Sequence, residues 1–250
     1  MNRRALLAGI GLLTVGGAAG TAAGPAAESA IVPESPTART VSPSGPAAYQ
    51  ATVTFRTAPP GRLIALTFDD GPTKEWTPQV LKMLRRHRAK TTFFLVGERV
   101  QANPGAVSRA TDAGHEVANH TWAHSDLTRY DEAFDRASLE RTHELLTKLS
   151  GRAPTLCRPP YGRIDSIGLA VCASLRYEVM LWSNWVNGGS PKFDVDETLR
   201  RASPGSIVLA HDGGPQPSAT LMHELDRLIG SMTDSGYTFV TVSELLAASR

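Results

Sequence analysis

The chain has 250 residues, 41% of them hydrophobic and 20% charged, with a formal net charge of +2. That balance belongs to a soluble globular protein and excludes a chain that is disordered or membrane-embedded throughout. Lys and Arg are scattered among acids, which also excludes a dedicated nucleic-acid surface.

The N-terminus is the first informative stretch. Arg3 and Arg4 precede an apolar run from Ala5 to Ala19, and small residues follow around Ala22, Ala23 and Gly24. A charged start, an apolar middle and a small-residue cleavage zone make residues 1–24 a secretory signal. The paired arginines before Ala5-Leu6-Leu7 are similar to a twin-arginine export signal. The alternative, a retained membrane anchor, is opposed by an apolar run shorter than the roughly 20 residues that span a bilayer. Residues 25–60 are expected to be a linker, rich in Pro, Ala and Ser as far as residue 48. The folded part is expected over 61–250, outside the cell or at the cell wall.

Within that part, Leu63 to Phe68 reads as a buried strand ended by Asp-Asp-Gly-Pro. Thr77 is expected to cap a helix with Pro78 at its first position and Val80, Leu81 and Leu84 on its inner face. Thr91 to Val96 is a second buried strand, Asn103-Pro104 opens a helix that stops at Gly114, and His115 to Asn119 is a third strand. A long helix from Asp131 to Leu149 should turn Phe134, Leu145 and Leu149 inward. Strands at Thr155–Cys157, Tyr177–Trp182, Ser206–Ala210 and Thr238–Val242 then alternate with helices near 166–174, 196–202 and 218–235, and a short helix ends the chain. Strand and helix alternate about seven times, the pattern of a parallel sheet covered by helices. Polar residues gather at the strand C-terminal ends, which favours a distorted (β/α) barrel over an open doubly wound sheet. No Gly-rich phosphate loop follows any strand.

Four clusters carry chemistry. Asp69 and Asp70 end the first strand, and adjacent carboxylates repel each other unless a cation or base is near. In a strand they should face opposite sides, one free for a metal and the other for a proton. His120 and His124 can share a helical face or converge in a tight loop. With Asp70 they make a set of two nitrogen ligands and one oxygen ligand, the open shell of a catalytic zinc-type site. His211 ends another strand and titrates near neutrality, which suits a general acid. Arg158 can hold a carboxylate, and the Tyr161 N–H can face an oxyanion. Trp182 and Trp185 are either core residues or, for one of them, a platform for a sugar ring. Cys157 and Cys172 are either one disulfide or two buried thiols. His115 and His223 have no motif context.

Thr67-Phe-Asp-Asp-Gly-Pro72, His120-Thr-Trp-Ala-His124, Arg158-Pro-Pro-Tyr-Gly162 and Leu209-Ala-His211 occur in this order after successive strands. The chain resembles the polysaccharide deacetylases, carbohydrate esterase family 4, over roughly residues 62–246. The resemblance implies a distorted β/α barrel that hydrolyses acetyl groups from an N-acetylated polysaccharide or oligosaccharide, such as peptidoglycan or chitin. It implies a divalent metal, zinc or alternatively cobalt, held by Asp70, His120 and His124. Asp69 becomes the general base, oriented by Arg158, and His211 the general acid. Leu209 lines the acetyl pocket, the Tyr161 N–H stabilises the oxyanion, and Trp185 meets the substrate. No nucleic acid and no stable protein partner are implied. An O-acetylated glycan such as acetylxylan, or a catalytically weak carbohydrate-binding homologue, are the alternatives. One departure stands out: the family's Asp-Trp motif, with its acidic partner, is not visible in the stretch Leu181 to Gly189.

Overall fold

The computed structural model describes residues 50–186 and 195–250; the expected signal, the linker up to residue 49, Asn187 to Gly189 and Asp194 lie outside the described residues. Strand β2 (Leu63–Asp69) is buried over nearly its whole length and forms the centre of the sheet. It lies between β3 (Thr91–Leu95) and β8 (Ile207–His211), in parallel with both. Beyond β3 come β4 (Glu116–Asn119), β5 (Leu156–Cys157), β6 (Glu178–Met180) and β1 (Val53–Thr54), and beyond β8 comes β7 (Asn184–Trp185). Strand β9 (Thr238–Phe239) pairs with the start of β2.

The sheet curls because one segment serves both edges. Residues of β6 pair with β5, and a few residues later β7 pairs with β8. Residues 52–57 fill the remaining gap: the Val179 N–H donates to the Thr52 carbonyl, and the Thr57 N–H to the Gly205 carbonyl, both at 2.9 Å. This staple falls where the sequence suggests linker, because Thr-Val-Thr-Phe is too short a β-forming run to stand out. The architecture is the distorted β/α barrel expected, not the open sheet. All the described residues fall in one compact unit, and among them no helix is long and apolar enough to cross a membrane.

Among the described residues, eight α-helices surround or plug the sheet: α1 (Trp76–His87), α2 (Gly97–Ala102), α3 (Gly105–Asp112), α4 (Glu132–Ser150), α5 (Ser166–Ser174), α6 (Val195–Arg201), α7 (Ala219–Asp234) and α8 (Val242–Ala247). Successive strand residues face opposite sides. Ile64, Leu66 and Phe68 of β2 therefore point outward, into the core shared with Val80 and Leu84 of α1 and Leu225 of α7. The opposite parity points inward. Ala65, Phe94, Ala118, Leu156, Met180 and Ile207 pack into one cluster with Val242 and Leu245 of α8, which plugs the N-terminal end of the barrel. At about 25 cal/mol per Å2 of apolar surface, burying each such aliphatic side chain is worth about 1.5–3 kcal/mol. Helix α8 is held in place by a capping box between Thr241 and Glu244. The Thr67 hydroxyl, also inward, donates to the Val208 carbonyl (2.8 Å) and ties β2 to β8.

Three local expectations change. Helix α1 starts at Trp76, so Thr77 lies inside it, and the Thr73 hydroxyl accepts the Trp76 N–H instead (3.0 Å). Leu145 and Leu149 pack against the core, but Phe134 is 43% exposed. It sits in the first turn of α4, where Tyr130 stacks on it at 4.1 Å between centroids and takes the place of core contacts. Helix α2, absent from the sequence reading, precedes α3, which starts where expected, with Pro104 as its cap. Cys157 and Cys172 are two free, buried thiols, and contact with Cys172 together with burial pushes the Cys157 thiol well up.

Candidate metal centre

The inward parity that builds the apolar plug also builds the site. Two or four residues beyond the plug, the same inward columns reach Asp69 (from Ala65), His120 (from Ala118), Arg158 (from Leu156) and His211 (from Ile207). All four are buried, Arg158 completely. The C-terminal mouth of the barrel is therefore lined with charge above an apolar floor.

Asp70 follows β2 but does not point to the opposite side, as a continued strand would require. Its φ is 69°, left-handed backbone that turns the residue back toward the mouth. Arg99 of α2 donates to its carbonyl and braces the turn. His120-Thr-Trp-Ala-His124 is a loop, not a helix, with φ of 65° at Thr121 and 55° at His124. The N–H groups of Gly97 and Glu98 donate to the Thr121 and Trp122 carbonyls (3.0 and 2.9 Å), so the start of α2 holds this loop. The left-handed residues converge the two rings, whose centroids lie 5.0 Å apart.

Asp70 Oδ1 lies 3.0 Å from His124 Nε2 and 3.4 Å from His120 Nε2. One ligand atom from each of the three residues lies within 4.8 Å of the others. Nδ1–H of His120 donates to the Arg158 carbonyl (2.7 Å), which leaves Nε2 as the nitrogen that faces the carboxylates. Asp70 Oδ1 is buried without a well-formed hydrogen bond. A buried carboxylate oxygen without such a bond, beside two imidazole nitrogens, fits a divalent cation of the zinc class in donor type and number. Burial pushes the Asp70 carboxyl up, but the His120 and His124 rings outweigh it and hold the acid far below its ordinary range. Burial likewise opposes charge on His120, yet Asp69 and Asp70 raise its pKa overall.

Asp69 is paired differently. The Arg158 guanidinium donates through Nη1 to Asp69 Oδ1 (2.7 Å) and to the Thr67 hydroxyl (2.8 Å). Its Nε and Nη2 donate to the Met180 and Leu181 carbonyls (3.1 and 3.2 Å), and it packs 4.0 Å over the Phe94 ring. Burial lowers the Arg158 pKa against the pull of Asp69. Each guanidinium nitrogen has an acceptor, which offsets the cost of burying the pair; removal of one partner typically costs about 3–5 kcal/mol. Asp69 Oδ2 remains directed at the site, 3.8 Å from His120 Nε2.

His211 is in register beside Asp69. Burial lowers its pKa, against the opposing charges of Asp69 and Asp70, and its Nδ1 has no hydrogen-bond partner. No acidic partner for this ring appears among the described residues. Leu209 is buried between Thr67 and Trp185 in the sheet register. Trp185 is half-buried with its ring 6.4 Å from that of His211, so it is neither sealed core nor a free platform. Tyr161 has φ 61° and is 63% exposed, with its ring edge-on to His124 at 4.6 Å. The residues to which the sequence gives a part in the site therefore lie around one mouth, and Cys157 and Cys172 pack in a separate apolar cluster. His115 is buried against Phe93, away from the ligand trio, and His223 is exposed.

Asp212 was missed. It is fully buried, and burial, reinforced by Asp70 and Asp69, pushes its carboxyl up to about 7 against the Thr77 hydrogen bond. A signal was available: Asp212-Gly-Gly-Pro215 follows a buried strand just as Asp70-Gly-Pro72 does.

The polysaccharide deacetylase family model matches residues 56–180. A peptidoglycan-N-acetylglucosamine deacetylase of Bacillus cereus is 39% identical over 194 residues, 74% of this chain and 88% of the relative. The peptidoglycan-N-acetylmuramic acid deacetylase PdaC of Bacillus subtilis is 37% identical over 75% of this chain and 39% of its own length. A crystal structure of a peptidoglycan N-acetylglucosamine deacetylase superposes with a TM-score of 0.73 at 33% identity, covering 77% of this chain and 92% of that one. With the Asp70–His120–His124 cluster at the barrel mouth and relatives of this similarity across most of its folded length, the chain belongs to the polysaccharide deacetylase family, carbohydrate esterase family 4.

Proposed function

We propose that the protein is an exported hydrolase that removes acetyl groups from N-acetylated cell-wall glycan of the peptidoglycan type. The observation that carries this reading is the Asp70–His120–His124 cluster directly beside a second, separately held carboxylate, Asp69. Asp70, His120 and His124 hold the divalent cation, zinc or in its place cobalt. When bound, such a cation supplies Lewis acidity toward a carbonyl and toward water.

The chain's own residues supply the rest. Asp69 is the general base: Arg158 fixes one carboxylate oxygen and leaves the other directed at the site to take a proton from water. His211, beside Asp69, is the general acid that delivers a proton to the departing amine. The Tyr161 N–H, presented by left-handed backbone, donates to the oxyanion, and its ring forms one wall of the cleft beside His124. Leu209 and Trp185 form the apolar wall against the acetyl methyl and the sugar. Water attacks directly, so no covalent intermediate with the chain is needed.

The glycan assignment draws on the relatives, which are named as peptidoglycan deacetylases. A second reading, an O-acetylated xylan, draws on a bifunctional xylanase/deacetylase of Pseudobutyrivibrio xylanivorans, 34% identical over 74% of this chain. The test is acetate release from peptidoglycan, chitin oligomers and acetylxylan by chelated protein, before and after zinc or cobalt is returned. Release from peptidoglycan only with metal returned is expected. Release from acetylxylan alone would favour the second reading, and no release from any polymer defeats both.

A further inference from the structure

The barrel mouth contains a buried carboxylate that the hydrolysis above does not use. Asp212 directly follows β8 and is fully buried. Its N–H donates to the Asp69 carbonyl (3.2 Å), and its carbonyl accepts the Thr73 hydroxyl (2.8 Å). Its Oδ2 accepts the Thr77 hydroxyl (2.5 Å), while Oδ1 has no hydrogen-bond partner. The carboxylate lies against Gly71: a Cβ there would sit 2.6 Å from Oδ2 and 2.7 Å from Cγ, inside any tolerable contact. One residue therefore grips the turn before Asp70, through Asp69, and after it, through Gly71, Thr73 and Thr77. The residue between these grips has the left-handed φ of 69° that an L side chain rarely adopts unless its surroundings enforce it.

We propose that Asp212 is a positioning residue: it clamps the Asp69–Thr73 turn against β8, fixes the Asp70 carboxylate opposite His120 and His124, and so sets the affinity of that trio for a divalent cation. The proposal rests on the cation-binding reading of the site. The clamp works by shape and hydrogen bonding, because the groups it touches are a glycine, two hydroxyls and a main-chain carbonyl. An asparagine fills the same volume and still accepts from Thr77, so it should substitute, whereas alanine should not. Gly71 is the other half of the fit: it is glycine because the Asp212 carboxylate occupies the space of its side chain.

The test is a Co2+ titration of the full chain, read by visible absorption and by competition with a chelator. Asp212→Ala should weaken Co2+ binding about 10–100-fold, the usual cost of losing a partner behind the ligands. Asp212→Asn should stay within about threefold of the unmodified chain, having kept the hydrogen bond. Gly71→Ala should weaken binding as Asp212→Ala does, and Gly71→Ala combined with Asp212→Gly should recover part of the loss. Wild-type affinity in folded Asp212→Ala overturns the clamp, as does an equal loss in Asp212→Asn, which would assign the effect to charge. Should Asp212→Ala not fold, Thr77→Val decides: a loss of about threefold or more is expected, and unchanged affinity overturns the proposal. If the unmodified chain binds no Co2+, the cation-binding reading itself fails; if it binds and the variants match it, only the clamp fails.

Discussion

The two ends of the barrel handle a carboxylate in opposite ways. At the floor, Glu116 accepts hydrogen bonds from the Thr92 hydroxyl (2.7 Å), the Ser243 N–H (3.2 Å) and the Ser243 hydroxyl, so both of its oxygens have partners. At the mouth, Asp70 Oδ1 and Asp212 Oδ1 are buried without one. The sheet is the same, but Glu116 begins β4, whereas Asp70 and Asp212 lie just beyond the C-terminal ends of β2 and β8. A folded chain rarely leaves buried polar atoms unsatisfied, because each costs about 1–3 kcal/mol. The floor carboxylate is fully paired by hydroxyl and main-chain donors, whereas the Asp70 carboxylate at the mouth faces two imidazole nitrogens.

The sharpest way to break this contrast is at the mouth. Asp70→Ala should abolish cation binding and lower turnover at least about a thousandfold, and the melting temperature of the cation-free protein should fall as well, since the His120 and His124 rings stabilise the carboxylate that is lost. Equilibrium dialysis with zinc and a melting scan check both halves. Asp69→Asn should retain the cation and lower kcat by about 10²–10⁴, the usual weight of a general base; full activity in this variant would remove Asp69 from the chemistry. At the floor only stability should suffer. Leu245→Ala should cost about 2–5 kcal/mol of stability by opening a cavity in the plug, with cation affinity unchanged in denaturant-free buffer.

The smallest effect concerns acid. Burial and the nearby Lys90 charge lower the His115 pKa from 6.5 to about 4. As pH falls below 6.5 the unfolded chain takes up a proton that the folded chain refuses until about 4, so stability declines across that window as pH drops. His115→Phe should flatten this part of the stability–pH curve in urea titrations, and an identical slope in the variant would assign the acid sensitivity elsewhere.

The inward columns were legible because period-two alternation and a charged residue at the strand end are both local signals. Asp69, His120, Arg158 and His211 stand at strand ends that can be read locally, but His211 and Arg158 carry little signal alone, and their roles came from the four motifs taken together as a family resemblance. What was not legible depended on contacts distant in sequence or on backbone handedness. Whether His120 and His124 share a helix or a loop is decided by left-handed residues at Thr121 and His124, and neither residue type announces them. Asp70 was expected on the far side of the strand for the same reason. Residues 52–57 form too short a strand to show, and they are stabilised by partners more than a hundred residues away. Phe134 misled because helical spacing predicts a face, not what lies opposite it. Asp212 was overlooked beside a more conspicuous histidine, although its role depends on Gly71 and Thr77 across the sheet.

The pairing of β2 with β8 also sets a timetable. The Thr67–Val208 hydrogen bond spans 141 residues, so a chain made from its N-terminus has completed Asp70, His120 and His124 long before β2 gains its second neighbour. Until then that flank of β2 is an open edge, and closing so long a loop is slow on the scale of folding. Strands β2, β3 and β4 carry the ligand trio, but the groups that hold it come afterwards: the Arg158 carbonyl on the His120 ring and Asp212 behind the Asp70 turn. Arg158 comes later, and His211 later still. The residues that would capture a cation thus precede, in order of birth, both those that fix them in place and those that would put the cation to use, so binding and catalysis mature together with the closing strand.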